Sequence, residues 1–339
     1  MEHRRIIIPE PGSPDVLQVI EEKIPEPEAN EVRVKVFAAG VARADILMRR
    51  GQYPEAVPSY PFTPGYDVSG VVDILGEQAS KIEPGTRVVA LTEVGGYTEY
   101  VCLPEDDLIP VPDGLDFAEV VCLGLNYLTA YQTLHRFANV KAGQRVLFHA
   151  AASGVGTAQL QLGGISELEM YGTTSKAKHD IISNLGGIPI DYKSEDFVKR
   201  IRSLTGNGVD AAFDPVGGSH LWRSFRTLRS NGSLIAYGEM SITGAQAPKR
   251  SEVAMHHYLP RILNYYPGDK TVKWYESFVE NRAHPDWYHG DFGELLNLLA
   301  QEKIKPIIAE RIPLVNAVRA HELLESAAVS GKIVLICNE

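Results

Sequence analysis

Residues 149–161 read HAAASGVGTAQLQ, and the interpretation of the whole chain starts from this stretch. It follows a buried-strand pattern, RVLFHAAAS, and its glycines open a helical pattern. A glycine-rich turn between a strand and a helix can hold a dinucleotide pyrophosphate, because backbone amides of the new helix face the anion. The usual pattern is G-x-G-x-x-G, but Ala151 stands at its first glycine. Gly154 and Gly156 still let a phosphate approach the backbone, so we expect dinucleotide binding. The alternative is a tight connection without a ligand.

Short strands and helices alternate around this turn. The strand patterns are RVLFHAAAS, LEMYGTT, IPIDY, GVDAAFDPVGG and SLIAYGEM, and helical patterns separate them. Such alternation predicts a doubly wound parallel sheet of the α/β class. We place this nucleotide-binding domain at residues 126–260. We expect SLIAYGEM to lie at the edge of the sheet, where a second copy of the chain can extend the sheet and form a homodimer.

Residues 1–125 follow a different pattern. Runs such as VRVKVFA alternate polar and apolar residues, and Pro and Gly separate the runs, which predicts a partly open antiparallel barrel. After residue 260, two helical patterns precede a final strand, KIVLIC, so we expect residues 261–339 to return to the first domain. A chain of 339 residues exceeds what one hydrophobic core supports, and two domains are therefore expected.

Composition excludes several classes of protein. The formal net charge of −10 disfavours binding to nucleic-acid phosphates. No apolar run reaches the roughly 18 residues that span a bilayer, and the N-terminal apolar run stops at Pro9, so we expect a cytoplasmic protein without a membrane span or a signal peptide. The three cysteines lie far apart and form no C-x-x-C, which indicates neither a disulfide framework nor a zinc site. We expect no bound metal.

The end of the second strand of the nucleotide-binding domain decides between NAD and NADP. In NAD-binding folds an acidic residue about 20 residues after the glycine turn holds the ribose hydroxyls. Here the stretch is YGTTSKAKHD, with Thr174, Ser175 and Lys178 and without Asp or Glu at the strand end. Hydroxyls and an ammonium group can instead hydrogen-bond to a 2′-phosphate. The sequence therefore predicts NADPH as the cofactor.

Further stretches carry a family resemblance. They are LNYLTAY, AGQRVLFHAAASGVG, YGTTSKAKHD, PIDY and GVDAAFDPVGG, with VARADILMRRGQYP and TPGYDVSGVV in the first domain. In these motifs the chain resembles the zinc-independent medium-chain dehydrogenases/reductases, and among them it looks most like the quinone oxidoreductases and their vesicle amine transport protein branch. The resemblance implies a GroES-like barrel plus a Rossmann domain, with the active site in the cleft between them.

The resemblance also implies roles for individual residues. Contacts on the phosphate side would come from Ser153, Gly154, Val155 and Gly156. The 2′-phosphate would be held by Ser175, Lys178 and Tyr192, and the nicotinamide side would be lined by Val216, Tyr237 and Gly238. Tyr53 and Thr129 stand at positions that in similar proteins lie near the nicotinamide or the substrate.

The chain departs from its relatives at three places. Zinc-dependent relatives keep a cysteine after the AAGV turn and a Gly-His-Glu sequence, whereas this chain reads VARAD and GYD, with Tyr66 in place of the histidine. Quinone oxidoreductases usually have an asparagine where this chain has Ala42, and that asparagine helps orient the nicotinamide or the substrate. The segment 258–292 is rich in aromatic residues, which predicts core or subunit interface, or alternatively a pocket wall or lid.

These observations predict a reductase that transfers hydride from NADPH to a quinone or an α,β-unsaturated carbonyl. Conjugation in a small apolar or aromatic acceptor of this kind spreads the developing negative charge, so that hydrogen-bond donors suffice without a metal. Tyr53 is the first candidate donor and Thr129 the second. Asp45 and Asp67 are candidates for either polar or structural roles.

Two alternatives remain open at the level of sequence. One is an enoyl-thioester reductase, for which Arg49 and Arg50 would bind the phosphate of a coenzyme or carrier. The other is a nucleotide-binding adaptor or lipid-handling protein with little turnover, which the resemblance to the vesicle branch and the absence of asparagine at Ala42 keep open.

Overall fold

The computed structural model describes residues 1–53, 58–240 and 258–338, and the chain divides into two compact units. The first unit comprises Met1–Asn126 and Pro285–Glu339, and the second comprises Tyr127–His284. The boundary that we expected between residues 260 and 261 therefore moves to residues 284 and 285. The reason is a strand near residue 272 that pairs with the sheet of the second unit.

Antiparallel strands dominate the first unit. They are β1 (Glu2–Ile7), β2 (Gln18–Lys23), β3 (Glu31–Val41), β4 (Asp67–Leu75), β5 (Arg87–Leu91), β6 (Tyr100–Pro104), β7 (Ile109–Pro110), β14 (Ile308–Pro313) and β15 (Lys332–Ile336). Strands β1 and β2 form a separate pair, while the main sheet has the order β14-β15-β3-β4-β5-β7 and β6 pairs with β3. The helices of this unit are α1 (Arg43–Arg49), α2 (Phe117–Cys122), α9 (Pro285–Ala300) and α10 (Ala317–Glu325).

Strand β3 shows why the sequence forms this sheet. Val32, Val34 and Val36 are fully buried, and the residues between them are only partly buried. The period of two places one row of apolar side chains on the core face of the sheet. The β-rich first domain expected from such alternation is confirmed.

The second unit is a six-stranded parallel sheet with helices. Its strands are β8 (Arg145–Phe148), β9 (Glu169–Thr174), β10 (Ile188–Asp191), β11 (Val209–Asp214), β12 (Leu228–Ala236) and β13 (Thr271–Trp274), in the order β10-β9-β8-β11-β12-β13. Its helices are α3 (Leu128–Tyr131), which lies between π-helical turns, α4 (Gly154–Ile165), α5 (His179–Asn184), α6 (Phe197–Thr205), α7 (His220–Thr227) and α8 (Ser277–Ala283). The strand order reverses between β8 and β11, as in a doubly wound nucleotide-binding fold. The predicted α/β class is confirmed.

The strand predicted for the sheet edge is not an edge strand. SLIAYGEM contributes to β12, which pairs with β11 on one side and β13 on the other. Strand β13 is only four residues long, too short for its pattern to be recognised in the sequence. Among the described strands, β13 lies at that edge instead.

The aromatic segment 258–292 does not form one cluster. Tyr288 and Phe292 are buried within the first unit, whereas Tyr275 is buried in the second unit, where its hydroxyl donates to Gln132 Oε1 at 2.7 Å. Tyr265 by contrast is 89% exposed. Part of the segment is therefore core, as expected, and part is surface. No helix in the described part of the chain is both long and apolar enough to cross a membrane.

Candidate active site

The glycine turn lies where β8 ends and α4 begins. Ser153 precedes the helix, and its hydroxyl oxygen accepts a hydrogen bond from the amide of Gly156 at 3.1 Å. The amides of Gly154 and Val155 also belong to the first helical turn, and such amides have no acceptor within their own helix. Amides at a helix N-terminus attract anions, so these residues suit a phosphate group. The turn has the geometry expected of a pyrophosphate site.

Ala151 fits at the first glycine position because the neighbouring strand lacks a side chain there. The amide of Ala151 donates to the carbonyl of Thr173 on β9 at 3.0 Å, and its side chain is fully buried. A Cβ added to Gly172 would lie 2.8 Å from the Cβ of Ala151, which is too close for two carbon atoms. Gly172 thus makes room for the methyl group of Ala151.

A second group of predicted residues gathers where β9 and β10 end. Thr174 is the last residue of β9, Ser175 follows it, and the carbonyl of Thr174 accepts a bond from the amide of Tyr192 at 3.2 Å. Burial lowers the pKa of Lys178, which is partly covered. Asp191 is the carboxylate at the end of β10, but it accepts bonds from Ser194 Oγ at 2.7 Å and from the amide of Lys193 at 3.1 Å. The carboxylate of Asp191 is therefore hydrogen-bonded within its own turn.

The third group of predicted residues lies where β11 and β12 end. Asp214 Oδ1 accepts bonds from the amides of Val216 at 2.7 Å and Gly217 at 3.1 Å, which fixes the loop after β11. The amide of Tyr237 donates to the carbonyl of Asp214 at 3.1 Å. A Cβ on Gly238 would lie 2.7 Å from the carbonyl oxygen of Pro215, so this close approach requires glycine. Val216, Tyr237 and Gly238 thus belong to one pair of adjoining strand ends.

A buried polar network lies beneath this loop, and no motif in the sequence predicts it. Asp214 Oδ2 accepts from Ser224 Oγ at 2.5 Å and lies 2.8 Å from His220 Nδ1, while Ser224 Oγ lies 3.1 Å from His149 Nε2. His149 Nδ1 in turn lies 3.0 Å from Thr173 Oγ1. Burial, with a smaller effect of His220, lowers the pKa of His149 to about 3. Although burial opposes it, the hydrogen bond from His220 keeps the pKa of Asp214 well below its ordinary value.

Among the described residues, His149, Asp214 and His220 are the one group with ligand atoms close enough, within 4.8 Å, to hold a metal ion. These atoms already hydrogen-bond to one another or to the hydroxyl of Ser224. They link the glycine turn to the loop after β11, and a structural role accounts for all of their contacts.

The two candidate catalytic residues lie in different units. Thr129 is buried in α3 of the second unit, where its carbonyl accepts from Thr133 Oγ1 at 2.7 Å. Tyr53 lies in the first unit, and its hydroxyl is hydrogen-bonded to the hydroxyl of Tyr66. Tyr66 is only 4% exposed. In the sequence Tyr66 stands out only as a replacement for histidine, and no motif predicts its contact with Tyr53.

Asp45 connects the start of α1 to the loop that precedes Tyr66. Its carboxylate accepts bonds from the amide of Ala42 at 2.7 Å, the amide of Gly65 at 2.9 Å and the hydroxyl of Tyr97 at 3.1 Å. Burial raises the pKa of Asp45 to about 7, against the opposing effect of the bonds from Ala42 and Gly65. Asp45 is therefore structural in its contacts and joins two loops of the first unit.

Leaving aside residues 54–57 and 339, which the structure does not describe, no three His, Cys, Asp or Glu side chains of the first unit bring their ligand atoms together, so the described residues do not fit a catalytic zinc ion. The resemblance implies that Tyr66 and Ala42 stand where zinc-dependent relatives have ligands, and an alanine side chain offers no ligand atom. Asp67, next to Tyr66, is fully buried and pairs with Lys332 Nζ at 2.6 Å, while its Oδ2 also accepts the amide of Leu125 at 2.9 Å.

Two family models match this chain. Residues 28–113 match the alcohol dehydrogenase GroES-like domain, and residues 187–335 match the zinc-binding dehydrogenase family model. The synaptic vesicle membrane protein VAT-1 homolog of Rattus norvegicus is 32% identical over 92% of this chain and 78% of its own length. The Danio rerio homolog is 31% identical over 92% of this chain, which spans 65% of the length of that relative.

A solved structure is similar to nearly the whole of this chain. The crystal structure of Escherichia coli quinone oxidoreductase complexed with NADPH has a TM-score of 0.87 and 29% sequence identity, and the match covers 98% of this chain and 99% of that chain.

Proposed function

The chain belongs to the medium-chain dehydrogenase/reductase family of quinone oxidoreductase type, and we propose that it is an NADPH-dependent reductase of quinones or α,β-unsaturated carbonyls. The observation that carries the proposal is the Ser153-capped turn at α4 together with the strand ends at Thr174 and Tyr192. The first offers amides to a pyrophosphate, and the second offers hydroxyls and Lys178 to a 2′-phosphate.

Three groups of residues would hold the nucleotide in this proposal. The pyrophosphate would bind at Ser153, Gly154, Val155 and Gly156. The 2′-phosphate would bind at Thr174, Ser175, Lys178 and Tyr192, and the nicotinamide side would be lined by Val216, Tyr237 and Gly238. The bound nicotinamide supplies a hydride. The protein has to fix the position of these segments. For the loop after β11, Asp214 does so by accepting the amides of Val216 and Gly217.

The protein has to stabilise the oxygen of the acceptor as negative charge develops there. A phenol hydroxyl can donate to such an oxygen, and Tyr53 is our first candidate for this role, with Thr129 second. The proposed acceptor is a small apolar or aromatic carbonyl compound or quinone. Conjugation in such a compound spreads the negative charge that develops on its oxygen, so fewer hydrogen-bond donors are needed to stabilise it.

The two arginines that the enoyl-thioester alternative assigns to a phosphate are paired with a carboxylate in the structure. Arg49 has a fully buried side chain that pairs with Glu325, and Arg50 lies 3.1 Å from the same carboxylate. Both arginines neutralise Glu325 within the first unit and so give no particular support to a phosphate site.

The first experiment is a titration of the purified protein with NADPH and with NADH, followed by nicotinamide fluorescence. We expect tighter binding of NADPH, and steady oxidation when 9,10-phenanthrenequinone is added. Ser175→Ala with Lys178→Ala should weaken NADPH binding about tenfold or more and leave NADH binding unchanged, because charge-assisted bonds to the phosphate are lost. Lys176→Ala, in the exposed residue beside them, is the matched control.

Each result of this titration separates the hypotheses. Binding without turnover of any quinone or enone would favour the adaptor or lipid-handling protein over the enzyme. Equal affinity for the two nucleotides would contradict the assignment of the 2′-phosphate site, and the absence of binding would contradict the nucleotide site as a whole.

A further inference from the structure

The hydrogen bonds of the buried polar network in the second unit have a defined direction, which starts from the charge of Asp214. Although burial opposes it, the bond from His220 keeps the pKa of Asp214 well below its ordinary value, so this group is a carboxylate and can only accept. Ser224 Oγ lies 2.5 Å from Asp214 Oδ2, and at that distance the hydroxyl hydrogen has to lie between the two oxygens. His220 Nδ1, at 2.8 Å from the same oxygen, has to carry a hydrogen for the same reason. Both side chains therefore donate to Asp214.

The direction continues from Ser224 to the end of β9. Because the one hydrogen of the Ser224 hydroxyl is used, its oxygen accepts from His149 Nε2 at 3.1 Å. Burial above all lowers the pKa of His149 to about 3, so the ring is neutral at pH 7 and has a single N–H. With Nε2 as the donor, Nδ1 is an acceptor, and the hydroxyl of Thr173 donates to it at 3.0 Å. The chain of bonds thus runs from Thr173 through His149 and Ser224 to Asp214.

The two oxygens of Asp214 serve different parts of the second unit. Oδ1 accepts the amides of Val216 and Gly217 in the loop after β11, whereas Oδ2 accepts from the side chains of His220 and Ser224 on α7. A carboxylate that is fully buried needs hydrogen bonds on both oxygens, so the donors to Oδ2 fix the rotation at which Oδ1 faces the loop. Without one of these donors the carboxylate would turn and loosen its hold on the amides of the loop.

We propose that Ser224 and His149 are positioning residues for the nucleotide: they orient Asp214 so that the loop after β11 is held in the form that receives the nicotinamide side of NADPH. This inference rests on the function proposed above and adds two residues to it. His149 holds the oxygen of Ser224, and Ser224 in turn directs its hydrogen to Asp214. The effect of both residues should therefore be limited to the part of the nucleotide that the loop after β11 contacts.

The test compares the binding of NADPH with that of 2′,5′-ADP, which carries the 2′-phosphate and lacks the nicotinamide. We expect Ser224→Ala to weaken NADPH binding about tenfold and to leave 2′,5′-ADP binding unchanged, because only NADPH extends to the loop. Asp214→Asn should weaken NADPH binding at least as much, because an amide that keeps its oxygen toward the loop turns its NH2 group toward other donors. Calorimetric titration measures both dissociation constants. A merely structural role would affect both ligands or neither.

Two further variants control for stability. Thr227 is also fully buried in α7, and its hydroxyl donates to the main-chain carbonyl of Ser224 at 2.6 Å. Thr227→Val therefore removes a buried hydroxyl from the same helix without removing a donor to Asp214, and it should lower the melting temperature and leave both affinities unchanged. Ser224→Cys keeps the size of the side chain and a weak S–H donor, so its NADPH affinity should lie between those of wild type and Ser224→Ala. It answers the same question if Ser224→Ala does not fold.

The direction of the bonds has a test that needs no nucleotide. Long-range 1H–15N NMR spectra of histidine rings distinguish the Nε2–H tautomer, the Nδ1–H tautomer and the charged ring. The variant His149→Gln identifies the signals of His149. We expect a neutral ring with its hydrogen on Nε2 at pH 7. The other tautomer or a charged ring would contradict the chain of bonds and overturn the inference.

The failure of the inference can be told from the failure of the proposed function. If wild type binds neither NADPH nor 2′,5′-ADP, the proposed function is wrong, and the positioning role is wrong with it. If wild type binds both, and Ser224→Ala matches wild type or weakens the two ligands equally, the role of Ser224 and His149 is overturned while the proposed function stands.

Discussion

A single methyl group explains how the nucleotide turn departs from the usual glycine pattern. Ala151 keeps the main-chain bond to Thr173 that connects the turn to β9, so its backbone is placed in spite of the substitution. The space for its Cβ is provided by Gly172 on that strand. The residue with positive φ in this turn is Ala150, at 50°, and Ala151 itself is free of that strain. The pattern tolerates alanine here because the neighbouring strand compensates.

We expect Gly172→Ala to destabilise the second unit by about 1–3 kcal/mol, as overpacking of a filled core does. The added methyl would meet both the Cβ of Ala151 and the Cδ1 of Ile182, the latter at 2.9 Å. Adding Ala151→Gly should recover part of that loss, and urea unfolding of the four members of this double-mutant cycle measures the coupling.

Gly164→Ala is the control for this cycle. It lies in α4, and a Cβ at this position meets no atom within 4 Å, so the replacement should be neutral or slightly stabilising. Additive effects of Gly172→Ala and Ala151→Gly would show that the two positions do not compensate each other.

At the scale of the element, α1 is a short helix with a carboxyl group in its first turn. That carboxyl group is buried, which is unusual for an aspartate. Asp45 closes the first turn by accepting the amide of Ala42, and the carboxyl is completely buried. Burial raises the pKa of this carboxyl to about 7, above its ordinary value of 3.8. Between these two pH values the folded protein holds a proton that the unfolded chain releases.

The stability contributed by Asp45 should therefore be present at low pH and be lost as the pH rises through about 7. We expect the free energy of unfolding of wild type, relative to Asp45→Asn, to fall with a slope of at most about 1.4 kcal/mol per pH unit between pH 4 and 7. Chemical denaturation of both proteins at several pH values measures the difference. A relative stability that instead rises with pH would show that the bonds from Ala42 and Gly65 outweigh burial.

Features that are contained within one element or one turn could be predicted from the sequence. Alternation of strands and helices predicted the parallel sheet, and the turn at Ser153 was visible because its chemistry is contained in consecutive residues. The network of His149, Asp214 and Ser224 was not visible, because its members come together only when β8, β11 and α7 are packed. The contact between Tyr53 and Tyr66 was not visible for the same reason, because the two residues lie on separate loops, one after α1 and one before β4.

For the whole molecule, the homodimer remains a prediction, but the strand proposed for its interface is wrong. The described sheet ends at β13, and the side chain of Asn264 covers part of that edge. Asn264 Oδ1 accepts the amide of Val272 at 2.7 Å, and its Nδ2 donates to the carbonyl of Val272 at 2.8 Å. The amide of Tyr275 faces β12, because it donates to the carbonyl of Ala236. Peptide groups along a strand face opposite edges in alternation, and Val272 is an odd number of residues away from Tyr275, so the amide and carbonyl of Val272 point away from β12.

A partner strand that extended the sheet here would have to displace both bonds of Asn264, and an edge occupied in this way resists strand addition. We therefore expect a dimer that does not use the peptide groups of Val272. Sedimentation over a wide range of concentrations should give a dimer mass for wild type, and Asn264→Ala should lower the melting temperature while leaving the dimer dissociation constant within about threefold, a difference under 1 kcal/mol. A monomer mass at all concentrations would contradict the dimer. Tighter association of Asn264→Ala would instead show that Asn264 competes with a partner strand for this edge.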